Sequence, residues 1–110
     1  MSFDPDLVDA LDEALTGHGV SVVRKRMFGG IALIVAGHMA MASRDDVVHV
    51  RVGKARFAEL VDHDGVGPMQ AGGRPMTGWV TLEGGLDLDA DTLAGWAGIA
   101  LDEIRGLPPK

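Results

Sequence analysis

Cysteine is absent from the 110-residue sequence. Its absence excludes disulfides, thiolate zinc sites and cysteine nucleophiles, and it fits the cytosol, where disulfides are rare. Long apolar runs are absent as well. The longest, at 31–42, is interrupted by Gly37 and His38 and is shorter than the about 20 residues of a membrane span. The stretch at 1–15 carries acids where a secretory signal carries basic and apolar residues. We therefore expect a soluble cytoplasmic protein with no membrane partner.

Basic residues are the minority, ten against sixteen acids, and the net charge is −6. The charge is unevenly spread: residues 1–20 hold five acids and no base, whereas residues 24–74 hold eight bases and five acids. Nonspecific nucleic-acid binding needs several Lys or Arg contacts to phosphate, and the overall charge opposes it. We expect no direct nucleic-acid binding, while a small anion site in the basic middle stays open.

The length and composition predict one domain that spans residues 1–110. A chain of this size buries roughly two-thirds of its unfolded surface, which is enough for one core without metal or disulfide support. Hydrophobic residues make up 46% of the sequence. This share argues against extensive disorder.

Three segments show the apolar spacing of amphipathic helices. In the first, at 4–17, Asp4 is a natural N-cap and Pro5 occupies the first helical position. The second is a short segment at 54–61. The third, at 90–106, carries a full apolar stripe at helical spacing, made by Leu93, Trp96, Ala97, Ala100, Leu101 and Ile104.

Strand-like runs follow the first helix. An extended lead-in at 20–25 is followed by three runs at 31–36, 39–43 and 47–52. Gly37-His38 is predicted as a two-residue hairpin turn with glycine first, and Arg44-Asp45-Asp46 as the second turn. The alternation of valines with His49 and Arg51 in the last run is typical of an antiparallel sheet with one buried face.

The segment between the second and third helices is rich in glycine and proline. We expect residues 63–78 to be mostly turn or loop, with a short strand near 66–70, and a further strand at 79–83. The fold class is therefore α+β. It is a two-layer sandwich in the order α-β-β-β-α-β-β-α, with helices on one face of an antiparallel sheet. The other face is exposed or covered by a second copy.

Four short stretches together resemble a known family. They are RKRMFGG at 24–30, VHVRV at 48–52, FAEL at 57–60 and GGRPMTGWVTLE at 72–83, followed by the amphipathic third helix. Over about residues 5–105 the sequence resembles the N-terminal domain of the TfoX/Sxy family, whose proteins are associated with the regulation of bacterial natural competence.

The resemblance implies a two-layer fold of the kind shared with type III secretion chaperones, in which dimers are common. We therefore expect a homodimer and a protein partner. The resemblance brings no enzymatic residues. Longer family members carry a second, helical C-terminal domain, which we do not expect in this chain, so no DNA-linked activity of that domain is carried over.

The first candidate binding loop is RKRMFGG. Adjacent cations and successive N–H groups beside glycines suit an anion or a protein partner. Alternatively, Met27 and Phe28 pack into the core and the glycines only reverse the chain. The candidate residues of this loop are Arg24, Arg26, Met27, Phe28, Gly29 and Gly30.

The second candidate loop contains Arg74 and Pro75, after Gly72-Gly73. Arg74 either joins the first loop as a clamp on a carboxylate or phosphate, or forms a salt bridge with an acid on a terminal helix. Trp79 follows Gly78, and we expect it at a pocket rim or a dimer seam.

Catalytic and metal-binding patterns are not found in the sequence. The four histidines do not cluster, and DLDADT at 87–92 lacks the glycine and glutamate of a calcium loop, so we read Asp89 or Asp91 as a helix cap. No serine lies in a nucleophile elbow, and the Walker spacing is missing. We expect no cofactor, no metal and no enzymatic activity.

Two functional hypotheses follow. The leading one is a non-enzymatic regulatory module that acts by protein–protein contact through the uncovered sheet face and the loops at 27–30 and 72–79. The alternative is a small anion sensor in which Arg26, the Gly29-Gly30 backbone and Arg74 hold a carboxylate or phosphate.

Overall fold

A computed structural model of the chain describes residues 4–27, 29–44, 47–63, 65–71, 73–84 and 88–108. It contains three helices and six strands in these residues. In chain order they are α1 (Pro5–Thr16), β1 (Val23–Met27), β2 (Gly30–Val35), β3 (His38–Arg44), β4 (Val47–Arg51), α2 (Lys54–Leu60), β5 (Val66–Ala71), β6 (Arg74–Leu82) and α3 (Ala90–Arg105).

The six strands form one antiparallel sheet in the order β1-β2-β3-β4-β6-β5. The helices α1 and α3 contact each other and the strands β2, β3 and β4, and α2 lies against β6. The predicted α+β fold class is confirmed. The segment predicted as an extended lead-in ends in a strand of its own, β1, which adds a sixth strand at one edge of the sheet.

The helix ends follow the predicted capping chemistry. The Asp4 carboxylate accepts a hydrogen bond from the backbone N–H of Asp6, and Pro5 begins α1. At the start of α3, the Asp89 carboxylate accepts from the backbone N–H of Thr92 at 2.7 Å, which confirms Asp89 as the cap. This hydrogen bonding lowers the pKa of Asp89. None of the helices in these ranges combines the length and hydropathy needed to cross a bilayer.

Two sequence predictions of local structure are wrong. The turn between β2 and β3 is Ala36-Gly37, and His38 is already in β3. Both turn residues have positive φ, 54° and 82°, as a two-residue hairpin turn of the mirror-image type I requires, and glycine fits its second position. The second predicted turn, Arg44-Asp45-Asp46, has its two aspartates outside the described residues.

The loop expected over most of the Gly/Pro-rich segment at 63–78 is the other incorrect prediction, although the short strand expected near 66–70 is confirmed as β5. Instead of a loop, most of it forms the hairpin of β5 and β6. Pro68 is accommodated because β5 is an edge strand, where a missing N–H need not break the sheet ladder. Gly73, with a φ of 81°, lies in the turn.

The core lies between the helices and one face of the sheet. Leu11 and Leu101 from the helices meet Leu33, Met41 and Val50 from the strands, and each of these side chains is at least 98% buried. Burying one such side chain contributes about 1.5–3 kcal/mol. Side chains of all three helices pack in or against this cluster, so all three helices cover the same face of the sheet.

The opposite sheet face is called the open face below. Alternation along the strands and the cross-strand register assign its residues. They are Val23, Lys25 and Met27 of β1, Ala32 and Ile34 of β2, Met39, Ala42 and Arg44 of β3, Val47, His49 and Arg51 of β4, and Trp79 and Thr81 of β6.

Candidate functional site

The first predicted loop is mainly strand β1. Its Arg24 lies on the helix side, where the guanidinium donates to Asp12 at 2.8 Å and to Asp9 at 2.9 Å on α1. The hydrogen bonds to Asp12 and then Asp9 raise the pKa of Arg24. Arg24 therefore joins the edge strand to the first helix. Its charge is already compensated by two carboxylates.

The other residues of this loop divide between surface and turn. Arg26 is exposed on the helix side of β1, and Met27 is half-buried at its end. Phe28 lies outside the described residues. Gly29 has a φ of 78° and turns the chain into β2, and Gly30 is buried so close to the Ser43 carbonyl that no side chain fits there. The glycines thus have the structural role considered as one alternative.

The second predicted loop is far from the first. Arg74 is exposed and begins β6, and Pro75 is the next residue of that strand. Three strands separate β6 from β1. Because Val48 pairs with Leu82, the start of β6 lies at the opposite end of the sheet from the Gly29-Gly30 turn. One chain therefore does not bring Arg26, Gly29-Gly30 and Arg74 into a single clamp.

The predicted salt bridge of Arg74 is also not seen among the ion pairs of the described ranges. The pairs that join different elements are those of Arg24 with α1 and of Arg56 with Asp102 on α3. These pairs are exposed, so each stabilises the fold by about 0–1 kcal/mol.

Trp79 lies in the middle of β6 and faces the open face. It is only 7% exposed although none of the described helices packs on this side. Its cross-strand partner is Arg51, whose guanidinium carbon lies 4.9 Å from the centroid of the indole ring. This is a cation–π arrangement, which gains strength as the cation loses water.

Arg51 is held in place by a second contact. Its Nε donates to the carbonyl oxygen of Met39 at 2.7 Å, beyond the last β3–β4 pair, Met41 with Val50. Burial lowers the pKa of Arg51, although Glu103 raises it in part. A guanidinium stays charged under either influence. The open face thus presents a fixed cation on an aromatic ring.

His49 and Thr81 form the next cross-strand pair on the open face. Nδ1 of His49 lies 3.0 Å from the Thr81 hydroxyl oxygen. Burial lowers the pKa of His49, and the nearby Arg44 guanidinium lowers it further. The imidazole is therefore neutral at pH 7, and among the described residues of this face the permanent charges are those of Lys25, Arg44 and Arg51.

Charge is divided between the strands and the helices. The six strands contain six Lys or Arg residues and no Asp or Glu. The three helices contain eight Asp or Glu and three Lys or Arg. A chain with a net charge of −6 therefore carries a positive sheet beneath an acidic helical layer.

Sequence reasoning named Trp79 but not its partners. Arg51 could have been assigned to the face of Trp79 from the sequence, because the alternation in VHVRV places it on the face opposite the valines. Ile34 and Met39 could not have been assigned to this face, because their strands are apolar on both sides and the register of β2 with β3 shifts between Leu33 and Ile34.

A groove of about 390 Å³ lies between α1 and the start of α3. Small side chains of both helices line it, and Nε2 of His18 lies 2.9 Å from the Ala94 carbonyl oxygen at its edge. Glu13 and Asp91 give the groove an acidic rim. We assign it no ligand.

Comparison with known proteins places the chain in a family. No curated protein and no solved structure matches the chain. The family model described as the TfoX N-terminal domain matches residues 13–104 of the 110-residue chain. The match begins within α1 and ends within α3, so it includes the whole sheet. The chain belongs to the TfoX N-terminal domain family.

Proposed function

We propose that the chain is a non-enzymatic regulatory module that acts by protein–protein contact, and that its open face binds an acidic surface of a partner protein. The observation that supports this most strongly is the Arg51–Trp79 pair, set among apolar side chains on a sheet whose strands contain no acid. Membership in the TfoX N-terminal domain family supports the regulatory role.

The composition of the open face suits a protein interface. Tryptophan and arginine are the residue types most enriched among those that dominate binding energy, and they act from desolvated central positions. Ile34, Met39 and Ala42 are half-buried around the pair and leave apolar surface at the solvent boundary. Methionine adapts its shape to different partner surfaces.

The size of the face is also adequate. Six strands span five interstrand spacings, about 24 Å. The longest extent of the molecule is 31 Å, so the face covers most of its width. A specific interface buries about 800 Å² on each partner, a patch of similar width.

Charge favours an acidic partner over a second copy. Lys25, Arg44 and Arg51 all belong to the open face, and face-to-face packing of two copies brings like charges into one interface. Binding of an acidic surface is instead favoured by its attraction to the same three cations. The homodimer expected from the family resemblance stays a prediction, which the experiment below also tests.

Two variants of equal charge change test the proposal. Arg44→Glu reverses an exposed cation of the open face, and Arg105→Glu reverses an exposed cation on α3. The wild-type chain is used to capture partners from the cells that produce it, and each captured protein is purified and titrated calorimetrically against all three chains. We expect Arg44→Glu to weaken binding by about tenfold or more and Arg105→Glu to change it by less than about twofold.

Two results would overturn the proposal. One is that no captured protein binds the purified chain. The other is that both variants bind as tightly as the wild type. Light scattering at high micromolar concentration supplies the second arm. A homodimer that Arg44→Glu leaves intact uses another surface and is compatible with the proposal, whereas a dimer that Arg44→Glu dissociates would show that a second copy, not an acidic partner, occupies the open face.

A further inference from the structure

Strand β1 differs from the five other strands in its exposure. It lies at the edge of the sheet and pairs only with β2, so every second N–H and C=O of its backbone points away from the sheet. Four of its five residues are exposed, and Met27 is half-buried. Val23 is 62% exposed and is the one large hydrophobic residue classed as exposed in the described ranges.

The other edge of the sheet is blocked. Strand β5 contains Pro68, which has no N–H to donate, and its pairing with β6 is irregular between Pro68 and Gln70. Both features prevent a further strand from adding to an edge. Strand β1 contains neither proline nor an irregular register. It is therefore the edge that can accept another strand.

The side chains of β1 determine which strand it accepts. On the open face, Lys25 stands between Val23 and Met27; on the helix side, Arg26 stands beside Arg24. Asp9 and Asp12 already compensate Arg24. Lys25 and Arg26 form no ion pair within the described ranges. These two cations are available to carboxylates of an added strand.

We propose that β1 binds an extended acidic segment of a partner protein as a seventh strand of the sheet. This inference rests on the proposed function, because it names the form of the acidic partner and extends the open face past its edge. In an antiparallel pair, residues directly opposite share a face. The segment therefore has apolar residues opposite Val23 and Met27 and carboxylates opposite Lys25 and Arg26.

Pairing of β1 with β1 of a second copy does not meet these requirements. An antiparallel pair centred on Lys25 places the two Lys25 side chains opposite each other and Arg24 opposite Arg26. Like charges directly opposite each other destabilise a strand pair. Cations on an edge strand are a known protection against self-association, and the same cations select an acidic strand.

A designed peptide tests the proposal with a defined probe. The capped peptide Thr-Val-Glu-Glu-Thr-Val-Thr places its valines opposite Met27 and Val23 and its glutamates opposite Arg26 and Lys25. One control peptide has glutamine for both glutamates, and a second has proline for the threonine opposite Arg24, whose backbone groups point away from β2. Binding is followed by chemical-shift changes of the backbone amides of the full chain.

We expect the acidic peptide to shift the amides of β1 and β2. The glutamine peptide should bind about fivefold or more weakly, and the proline peptide should not bind, because proline removes an N–H needed for the ladder. Lys25→Glu in the chain should lower the affinity for the acidic peptide by about tenfold. The matched reversal Lys54→Glu, at an exposed position on α2, should leave its affinity unchanged.

Several results would overturn the inference. They are amide shifts outside β1 and β2, equal binding of the acidic and glutamine peptides, binding of the proline peptide, or no binding of any peptide. These failures are distinguishable from failure of the proposed function. If the peptide does not bind but Arg44→Glu still weakens the captured partner, the open face remains the contact surface and only the added strand is wrong.

Discussion

The helical layer and the open face differ in the charge and the burial of their side chains. The helices place eight acids and three bases around an apolar stripe that is buried in the core. The open face has three cations, a buried tryptophan and half-buried aliphatic residues. The helical layer covers the core and carries most of the acidic charge of the described elements.

The largest expected difference in stability between the helix side and the open face is that between substitutions of two neighbouring residues, Leu33 and Ile34. Leu33 is fully buried beneath the helices, and Ile34 is half-buried on the open face. We expect Leu33→Ala to lower the free energy of unfolding by about 3 kcal/mol and Ile34→Ala by about 1 kcal/mol, because the first leaves a cavity. Urea denaturation measures both. Equal losses would mean that the open face is as tightly packed as the core.

Two buried or paired hydroxyl groups allow a second comparison of stability between the helix side and the open face. The Ser43 hydroxyl is buried on the helix side without a hydrogen-bond partner in the described residues, whereas the Thr81 hydroxyl is paired with His49 on the open face. We expect Ser43→Ala to raise the free energy of unfolding by about 0.5–1 kcal/mol and Thr81→Val to lower it by about 1 kcal/mol. Thermal denaturation distinguishes them. A lower free energy of unfolding in Ser43→Ala would contradict the assignment of the Ser43 hydroxyl as a group without a hydrogen-bond partner.

The pH dependence of stability reports on the open face. The pKa of folded His49 lies below the unfolded value of about 6.5, so the unfolded state binds more protons as the pH falls below neutrality. The contribution of His49 to stability is therefore complete above pH 7 and is lost as the pH falls through 6.5 towards the folded pKa. We expect unfolding midpoints to fall between pH 7 and 5, and to fall less in His49→Gln. If the unfolding midpoints of the wild type and of His49→Gln fell equally with pH, His49 would not be buried as described.

The smallest expected effect is that of the ion pairs that tie β1 to α1. Arg24→Gln removes contacts that are largely exposed, so we expect a loss of only about 0.5 kcal/mol. The loss should shrink further at 1 M salt, where charges are screened. A loss above about 2 kcal/mol would contradict this reading and would make β1 part of the stability core.

Much of the fold was predictable because periodicity and caps act locally. Asp4 and Asp89 capped the helices as predicted, and the valines of β4 face the core. Strands near 66–70 and at 79–83 were predicted, but the start of β6 at Arg74 was missed because residues 72–78 are rich in glycine and contain proline, which local preferences assign to loops. The edge position of β5 removes that penalty, and an edge position is a property of the whole sheet.

The candidate site was harder to predict because it depends on strand order. RKRMFGG and GGRP are each suited to an anion, and only the topology shows that β2, β3 and β4 lie between them. The pairing of Arg51 with Trp79 likewise needs the β4–β6 register, which joins residues from separate parts of the chain. Local sequence shows which residues are cations but not which of them share a face.

The most direct test of the central claim is an amide chemical-shift map of the full chain titrated with a captured and purified acidic partner. We expect the largest shifts in β1, β3 and β4, at residues around Lys25, Met39 and Arg51, and little change in α1 and α3. The largest shifts at the groove between α1 and α3 would contradict the account, because they would place the contact on the acidic helical layer.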